Sequence, residues 1–500
     1  MDLIDNIQLG FSTAISPVNL FYCFVGVFFG TLLGALPGIG SLAAVSILLP
    51  LTFSLDPTTA LVMLAGVYYG AEYGGSTSSI LLNLPGTPSN AVTCLDGYPM
   101  AQQGRAGVAL FTTTVASFFG GSVGIIALYT LSPMLADAAI AMGPADYFSL
   151  MVAGLVAAAA VTQDDPLKGL AMVVFGLALG TVGTDVDSGV ARFHWGALEL
   201  RDGVSFIALA MGLFGVSEVV LSLSSIGDRT VKQRVTMRGM LPTRDEWRRS
   251  IKPALRGAGI GGVFGALPGT GPTIGTFIGY TLEQRLAKDP SIFGKGAIEG
   301  IVSPETANNA AVQTAFIPTL TLGIPGSATM AIMLGALMMN GAAPGPNLIN
   351  TNPEIFWGLA ASFWIGNVFL LILNIPLIGL WVRLLQIPYR LLYPAILILI
   401  CIGSYTIRSN VFDIFMVLIF GTVGFVLRKL NFQLAPVLIG FILGPMIEEN
   451  FKRAMLFGRG DFTYLVKQPV SGVFLGLTAL LIVWSVWKTV RRRPRQARSE

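Results

Sequence analysis

Charge is scarce in this 500-residue sequence: 12% of residues are Asp, Glu, Lys or Arg, about half the share in soluble domains. That scarcity, beside a hydrophobic content of 53% and a mean hydropathy of +0.71, excludes an ordinary soluble protein. Lys and Arg are absent from residues 1 to 104. The start, MDLIDNIQLG, therefore lacks the positive region of a cleavable signal, and the first span is expected to be retained. There is one histidine, His194, which argues against a His-based metal centre. With one histidine and no Asp-rich motif, the sequence argues against hydrolase and transferase chemistry. The three cysteines, Cys23, Cys94 and Cys401, show no CxxC spacing; no disulfide or zinc framework follows, and they read as small buried residues. The formal net charge of +4 is no nucleic-acid signal, because the basic residues are gathered by topology.

Long apolar runs recur from end to end, each near the roughly 20 residues that a bilayer crossing needs. The fold expected is an all-α polytopic membrane protein of about 10 to 12 spans. Residues 228–256 carry nine Lys or Arg against Asp228, Asp245 and Glu246. The positive-inside rule makes this stretch a cytoplasmic connecting loop, and the basic tail from Lys488 to Arg498 puts the C-terminus on the same side. The expected organisation is a first membrane repeat at 1–227, the loop at 228–256, a second repeat at 257–487 and a tail at 488–500. Glycine is abundant, 59 residues, as close packing of membrane helices requires.

Four apolar stretches are broken by Pro-Gly. They are GALPGIG at 34–40, LNLPGT at 82–87, GALPGTG at 265–271 and LGIPGS at 322–327. Proline removes a backbone donor and glycine permits non-helical angles, so the helix unwinds there. Unwound backbone at membrane depth is tolerated only where protein covers it or a wet cavity receives it. The breaks form two matched pairs. Two further matches keep the same order: 166–180 with 411–424, and GLFGVSE at 212–218 with the end of GFILGPMIEE at 440–449. Such order predicts two related halves, inverted rather than parallel, with the transport site at the interrupted segments. The short arms around 265–271, with Arg256 before and Arg285, Lys288 and Lys295 after, predict a re-entrant hairpin rather than one kinked span of about 27 residues.

The chemistry of a broken helix is that of its inner ends. A free N-terminus suits the carboxylates of an organic anion. Freed carbonyls and side-chain oxygens suit Na⁺. The candidate residues of the first half are Pro37, Gly38, Gly40, Ser41, Ser76, Thr77, Ser78, Asn83, Pro85, Gly86, Thr87 and Ser89. Those of the second half are Pro268, Gly269, Thr270, Gly271, Thr273, Ser303, Asn308, Asn309, Thr319, Thr321, Pro325, Gly326 and Ser327. Na⁺ is placed near Asn308 and Asn309. No Lys or Arg lies inside these segments. Glu305, about one turn before Asn308, and Glu72 are intramembrane acids and so candidates for cation or proton coupling. Asp164, Asp165, Asp185 and Asp187 read as loop residues.

The pairing of GALPGIG with LNLPGTP, and of GALPGTGPT with ETANNAAVQ and LGIPGS, resembles the large membrane subunit of tripartite tricarboxylate transporters. The resemblance runs over nearly the whole chain and includes DGYPMA at 96–101. It implies a bacterial inner-membrane protein working with a small four-span membrane subunit and a periplasmic solute-binding protein. It implies import of a carboxylate by symport with Na⁺ or H⁺, with no cofactor. The carried-over residues are Pro37, Gly38, Gly40, Pro85, Gly86, Pro268, Gly269, Gly271, Glu305, Asn308, Asn309, Pro325 and Gly326. A membrane-embedded enzyme and a channel are the alternatives. The first needs partnered nucleophiles or acid–base groups or a metal, which one histidine and no Asp-rich motif argue against; paired interrupted helices in a repeat fit alternating access better than a continuous pore.

Overall fold

The computed structural model describes residues 3–161, 166–185, 188–223, 239–267, 271–384 and 389–496. They are almost wholly helical. The first half runs α1 (Leu3–Ala14), α2 (Pro17–Ala35), α3 (Gly40–Leu48), α4 (Pro57–Leu82), α5 (Ala91–Met100), α6 (Ala106–Ile140), α7 (Pro144–Val161) and α8 (Pro166–Gly180). A two-stranded antiparallel ladder follows, pairing Gly183 with Arg192 and Thr184 with Ala191. Then come α9 (Phe206–Ala210), a π turn (Met211–Val216) and α10 (Ser217–Leu223). The second half runs α11 (Arg244–Ala266), α12 (Gly271–Leu286), α13 (Glu299–Thr314), α14 (Phe316–Leu322), α15 (Ala328–Met339), α16 (Leu348–Thr351) and α17 (Pro353–Asn374). It closes with α18 (Ile378–Leu384), α19 (Tyr389–Arg408), α20 (Val411–Lys429), α21 (Ala435–Phe457), α22 (Thr463–Lys467) and α23 (Pro469–Gln496).

Among the described residues five helical segments are long and apolar enough to cross a membrane: Pro17–Ala35, Pro88–Ile140, Pro353–Asn374, Val411–Lys429 and Pro469–Trp487. Shorter apolar segments of 10–17 residues, such as Pro166–Gly180 and Ala328–Met339, accompany them. Helices α4 and α13 form the centre; nearly every residue of each is buried. A helix buried all round has no polar face to spare, so its few polar groups must find partners inside. Around this centre Tyr68, Tyr69, Phe316, Trp357 and Phe363 fill the core. Helix α23 is at the rim and exposes Val473, Leu480, Val483 and Trp487, an apolar face suited to lipid.

Glycine sets the helix spacing, and it does so twice in the same way. A Cβ on Gly26, Gly30 or Gly34 of α2 would overlap the carbonyl of Met63, Val67 or Ala71 on α4. A Cβ on Gly257, Gly261 or Gly265 of α11 would overlap the carbonyl of Ser303, Ala307 or Ala311 on α13. Both are small-xxx-small seams that let two backbones touch. The later elements interlock across the halves. Gly176 of α8 abuts Val437 of α21, while Gly212 of the π turn abuts Val417 of α20.

Helices α11 and α12 lie side by side: Gly275 faces Gly261, and Arg256 forms a two-pronged ion pair with Glu283, Nε to Oε1 at 2.7 Å and Nη2 to Oε2 at 2.5 Å. The chain thus reverses between Leu267 and Gly271, as a hairpin requires and a single kinked span does not. Pro268, Gly269 and Thr270 lie outside the described residues. One expectation changes. Residues 244–256 are helix, not loop: Thr243 caps Glu246 N–H at 3.3 Å, and Glu246 Oε2 accepts from Thr243 N at 2.8 Å. The T-x-x-E spacing of a capping box was present but was outweighed by the charge run.

Candidate functional site

Each break has a backbone reason. Between α2 and α3 the chain turns through Gly38 (φ 92°) and Gly40 (φ 67°). Helix α4 ends on Asn83 in the left-handed region (φ 56°), and α14 ends on Gly323 in the same conformation (φ 70°). Such residues close a helix by bending its last turn back. Beyond them Gly86 packs against Gly75 and the Gly34 carbonyl, and Gly326 packs beside Ala315 and the Gly265 carbonyl. A side chain at Gly86 would push the loop off its helix pair, whereas at Gly326 a Cβ would only crowd the Gly265 carbonyl, at 3.3 Å. Gly271 (φ 60°) opens α12, and Ser327 caps α15 by accepting from Met330 N at 3.2 Å.

The four breaks open on one cavity of about 620 Å³. Its wall holds Gly38, Gly40 and Ser41 from the first, Pro85, Gly86, Thr87 and Ser89 from the second, Gly271 and Thr273 from the third, and Ser327 and Thr329 from the fourth. Tyr68 and Glu72 of α4 complete one side; Glu218, Arg428, Gln433 and Pro436 complete another. The starts of α3, α12 and α15 therefore face the same space.

Two carboxylates are buried here, Glu72 in the wall and Glu305 behind it. Glu72 and Glu305 are 3% and 1% exposed. Glu305 Oε2 accepts from Ser76 Oγ at 2.7 Å and Ser117 Oγ at 3.3 Å; Oε1 accepts from Asn90 Nδ2 at 3.3 Å and from the Thr93 hydroxyl. Glu72 Oε2 accepts from Ser89 Oγ at 2.5 Å, Thr87 Oγ1 at 2.9 Å and Asn308 Nδ2 at 3.2 Å. Asn90 links the two groups, donating to Ser76 Oγ at 3.0 Å and accepting from Thr87 Oγ1 at 2.6 Å. Among the described residues neither acid is ion-paired with a Lys or Arg. A buried carboxylate without a cation is costly, by several kcal/mol, and hydroxyl and amide donors are what offset that cost here.

The proton count in this cluster is short. Thr87 Oγ1 lies 2.7 Å from Ser89 Oγ, besides its contacts to Glu72 and Asn90. With Ser89 to Glu72, that makes four oxygen–oxygen contacts of 2.5 to 2.9 Å. The two hydroxyls bring one proton each. A proton on Glu72 would supply another. Beside it, Asn308 Oδ1 is buried and has no hydrogen-bond partner among the described residues. The cluster is chemically able to take up a proton or an oxygen-seeking cation.

The remaining candidates separate. Ser76, Glu305 and Asn308 belong to the carboxylate network. Asn309 turns inward along its own helix, donating to the Glu305 carbonyl at 3.1 Å. Ser303, Thr319 and Thr321 donate to backbone carbonyls, and Ser78 to Gly75 O. Thr77 is buried on α4, Pro325 is buried in its loop, Pro37 is half-buried and Asn83 is exposed. Asp185 belongs to a surface ion-pair group with Arg192, Glu448 and Lys452; Asp164, Asp165 and Asp187 lie outside the described residues. Sequence reasoning passed over Asn90, Thr93 and Ser117, the last one of several hydroxyls along an apolar span. It also passed over Asp96 in DGYPMA, which is fully buried and accepts from Gly296 N and Ala297 N at 2.8 Å each and from Tyr280 OH at 3.0 Å.

Comparison with known proteins agrees with this architecture. The model of the tripartite tricarboxylate transporter TctA family matches residues 20–439. A protein of Agrobacterium vitis, described as an uncharacterized 52.8 kDa protein in the TAR-I ttuC' 3' region, is 48% identical over 493 residues, 99% of this chain and 98% of its own. A second Agrobacterium vitis protein, described as an uncharacterized protein in the TAR-II ttuC' 3' region, is 48% identical over 233 residues, 47% of this chain and 96% of its own. No solved structure matches.

Proposed function

Because this chain belongs to the tripartite tricarboxylate transporter TctA family, we propose that it is the large membrane subunit of a carboxylate importer driven by a cation gradient. The observation that carries the reading is the meeting of four interrupted helices on one cavity, with Glu72 in its wall and Glu305 behind. Helix starts at Gly40, Gly271 and Ser327 offer unpaired N–H groups and a positive dipole end to a carboxylate. Ser41, Thr273 and Thr329 add hydroxyls. The Glu72 cluster takes the coupling cation, H⁺ or Na⁺, with the Asn308 amide as a further oxygen ligand. Cation and anion then neutralise each other in a low-dielectric space, where either alone is expensive.

The two halves act as an inverted pair in this reading. The matched glycine seams and matched break geometries support duplication. Direction is supported by packing: Gly176 meets Val437 and Gly180 meets Phe441, so α8 and α21 run the same way. Helices α20 and α21 together would extend roughly 60 Å, about twice the bilayer core, so α21 must reverse relative to α20. Matched helices α8 and α20 then point oppositely, as an inverted repeat demands. The partners are a small four-span membrane subunit and a periplasmic solute-binding protein, in a bacterial inner membrane with a cytoplasmic C-terminus.

The test is uptake of labelled mono-, di- and tricarboxylates into proteoliposomes holding all three components, with and without inward Na⁺ and H⁺ gradients. Gradient-dependent uptake of one carboxylate is expected. No uptake under either gradient, by correctly inserted protein, overturns the reading.

A further inference from the structure

Of the described residues lining the cavity, Arg428 alone is cationic. It sits in the last turn of α20, and Glu218 of α10, another wall residue, forms an ion pair with it through Oε2 and Nη1. The pair is only partly covered, with side chains 29% and 15% exposed. Neither residue belongs to a break motif. The two are 210 positions apart in the chain.

We propose that Arg428 grips one carboxylate of the transported anion, and that Glu218 aims the guanidinium and competes for it. The inference rests on the carboxylate reading above. A guanidinium carries five N–H donors in a planar fork. Glu218 engages it from one side, at Nη1, so the fork retains donors for a bidentate grip on a second carboxylate. The starts of α3, α12 and α15 line the same cavity. A cavity of about 620 Å³ is ample for a small anion. An anion with two or more carboxylates can thus meet the arginine with one and a helix start with another. A monocarboxylate can meet only one. With Glu72, Glu218 and Arg428 all ionised the wall carries one net negative charge, so Glu218 weakens any anion that approaches Arg428.

The test measures KM and maximal rate for labelled citrate, succinate and acetate. The full chain and its partner subunits are reconstituted as wild type, R428Q, E218Q and the E218Q/R428Q double variant. R428Q is expected to raise KM for citrate and succinate about tenfold or more, with acetate affected less. E218Q keeps an acceptor for the guanidinium but removes the competing charge, and is expected to lower KM severalfold. The double variant leaves no unpaired buried charge, so it keeps the protein inserted where R428Q alone fails, and its KM stays raised. Wild-type KM in the double variant overturns the inference. So does a fall in maximal rate with the succinate-to-acetate KM ratio unchanged, which is the mark of a merely structural ion pair. If the wild type moves no anion of the mono-, di- and tricarboxylate panel, the carboxylate reading falls and takes this inference with it; if it moves others than these three, the same KM comparison is made with those.

Discussion

At the scale of the residue, the two buried acids decide what the site can do. Glu305 has four donors and Glu72 has three. Glu305→Ala removes the acceptor these four donors share and leaves the Thr93 and Ser117 hydroxyls without one among the described residues, each costing about 1–3 kcal/mol when buried, and should lower the melting temperature in detergent and abolish uptake. Glu305→Gln keeps most contacts and should restore the melting temperature but not gradient-driven uptake. Equal uptake in the Gln variant would remove Glu305 from the coupling reading. The asparagine pair also splits. Asn308 faces Glu72 with one amide atom, and among the described residues its Oδ1 has no partner. Asn309 spends its amide on its own helix. Asn308→Ala should therefore abolish uptake with insertion intact, whereas Asn309→Ala should cost only part of it. The two uptake rates, measured side by side, check the order.

At the scale of the element, the glycine seams and the caps place these residues. Gly34→Ala and Gly265→Ala each drive a methyl into a carbonyl, of Ala71 or Ala311. Membrane insertion followed by a lower melting temperature and lost uptake is expected, since an overpacked core costs about 1–3 kcal/mol. Gly259→Ala and Gly262→Ala, on the same helix α11 but facing open space, should leave uptake and melting unchanged. A second element-level effect concerns pH. Burial pushes Glu246 up, but the Thr243 N–H and hydroxyl and the Arg105 guanidinium outweigh it and hold its carboxyl below the ordinary value. A depressed acid contributes stability above its unfolded pKa, about 4.3, and loses it as pH falls through the lower folded value. Glu246→Gln should flatten the melting-temperature profile across that acidic window while leaving it little changed in shape near neutrality. A profile still as steep as wild type would place the acid-labile group elsewhere.

At the scale of the whole molecule, the halves are interlocked rather than merely adjacent. Gly176 of the first half seats on Val437 of the second, and Gly212 of the first seats on Val417 of the second. Asp96 ties the end of the second break to Tyr280 and to the amides that lead into α13. A cavity built from both halves is remade whenever one moves against the other, which is the geometry alternating access needs. The chain reconstituted alone should take up carboxylates poorly, and adding its binding protein and small subunit should raise the rate by an order of magnitude or more. Full uptake by the chain alone would contradict the tripartite assembly.

Membrane residence, helical class and the location of the breaks were legible in the sequence, because hydropathy and Pro-Gly chemistry are local properties that no partner can overrule. The residues Glu72, Asn308 and Glu305 stood out for a related reason: polar groups are conspicuous in apolar runs. What the chain alone did not disclose is who faces whom. Ser117 and Asn90 look like ordinary hydroxyl and turn residues until α6 and the second break bring them to Glu305. Arg428 looks like a basic residue ending a span, and Glu218 like an acid near another. Asn308 and Asn309 are neighbours in sequence, yet helix rotation sends one to Glu72 and folds the other onto its own backbone. Composition and local chemistry decided that this protein lives in a membrane with interrupted helices. Only tertiary packing, set by where glycine lets backbones touch, decided which polar groups share the cavity.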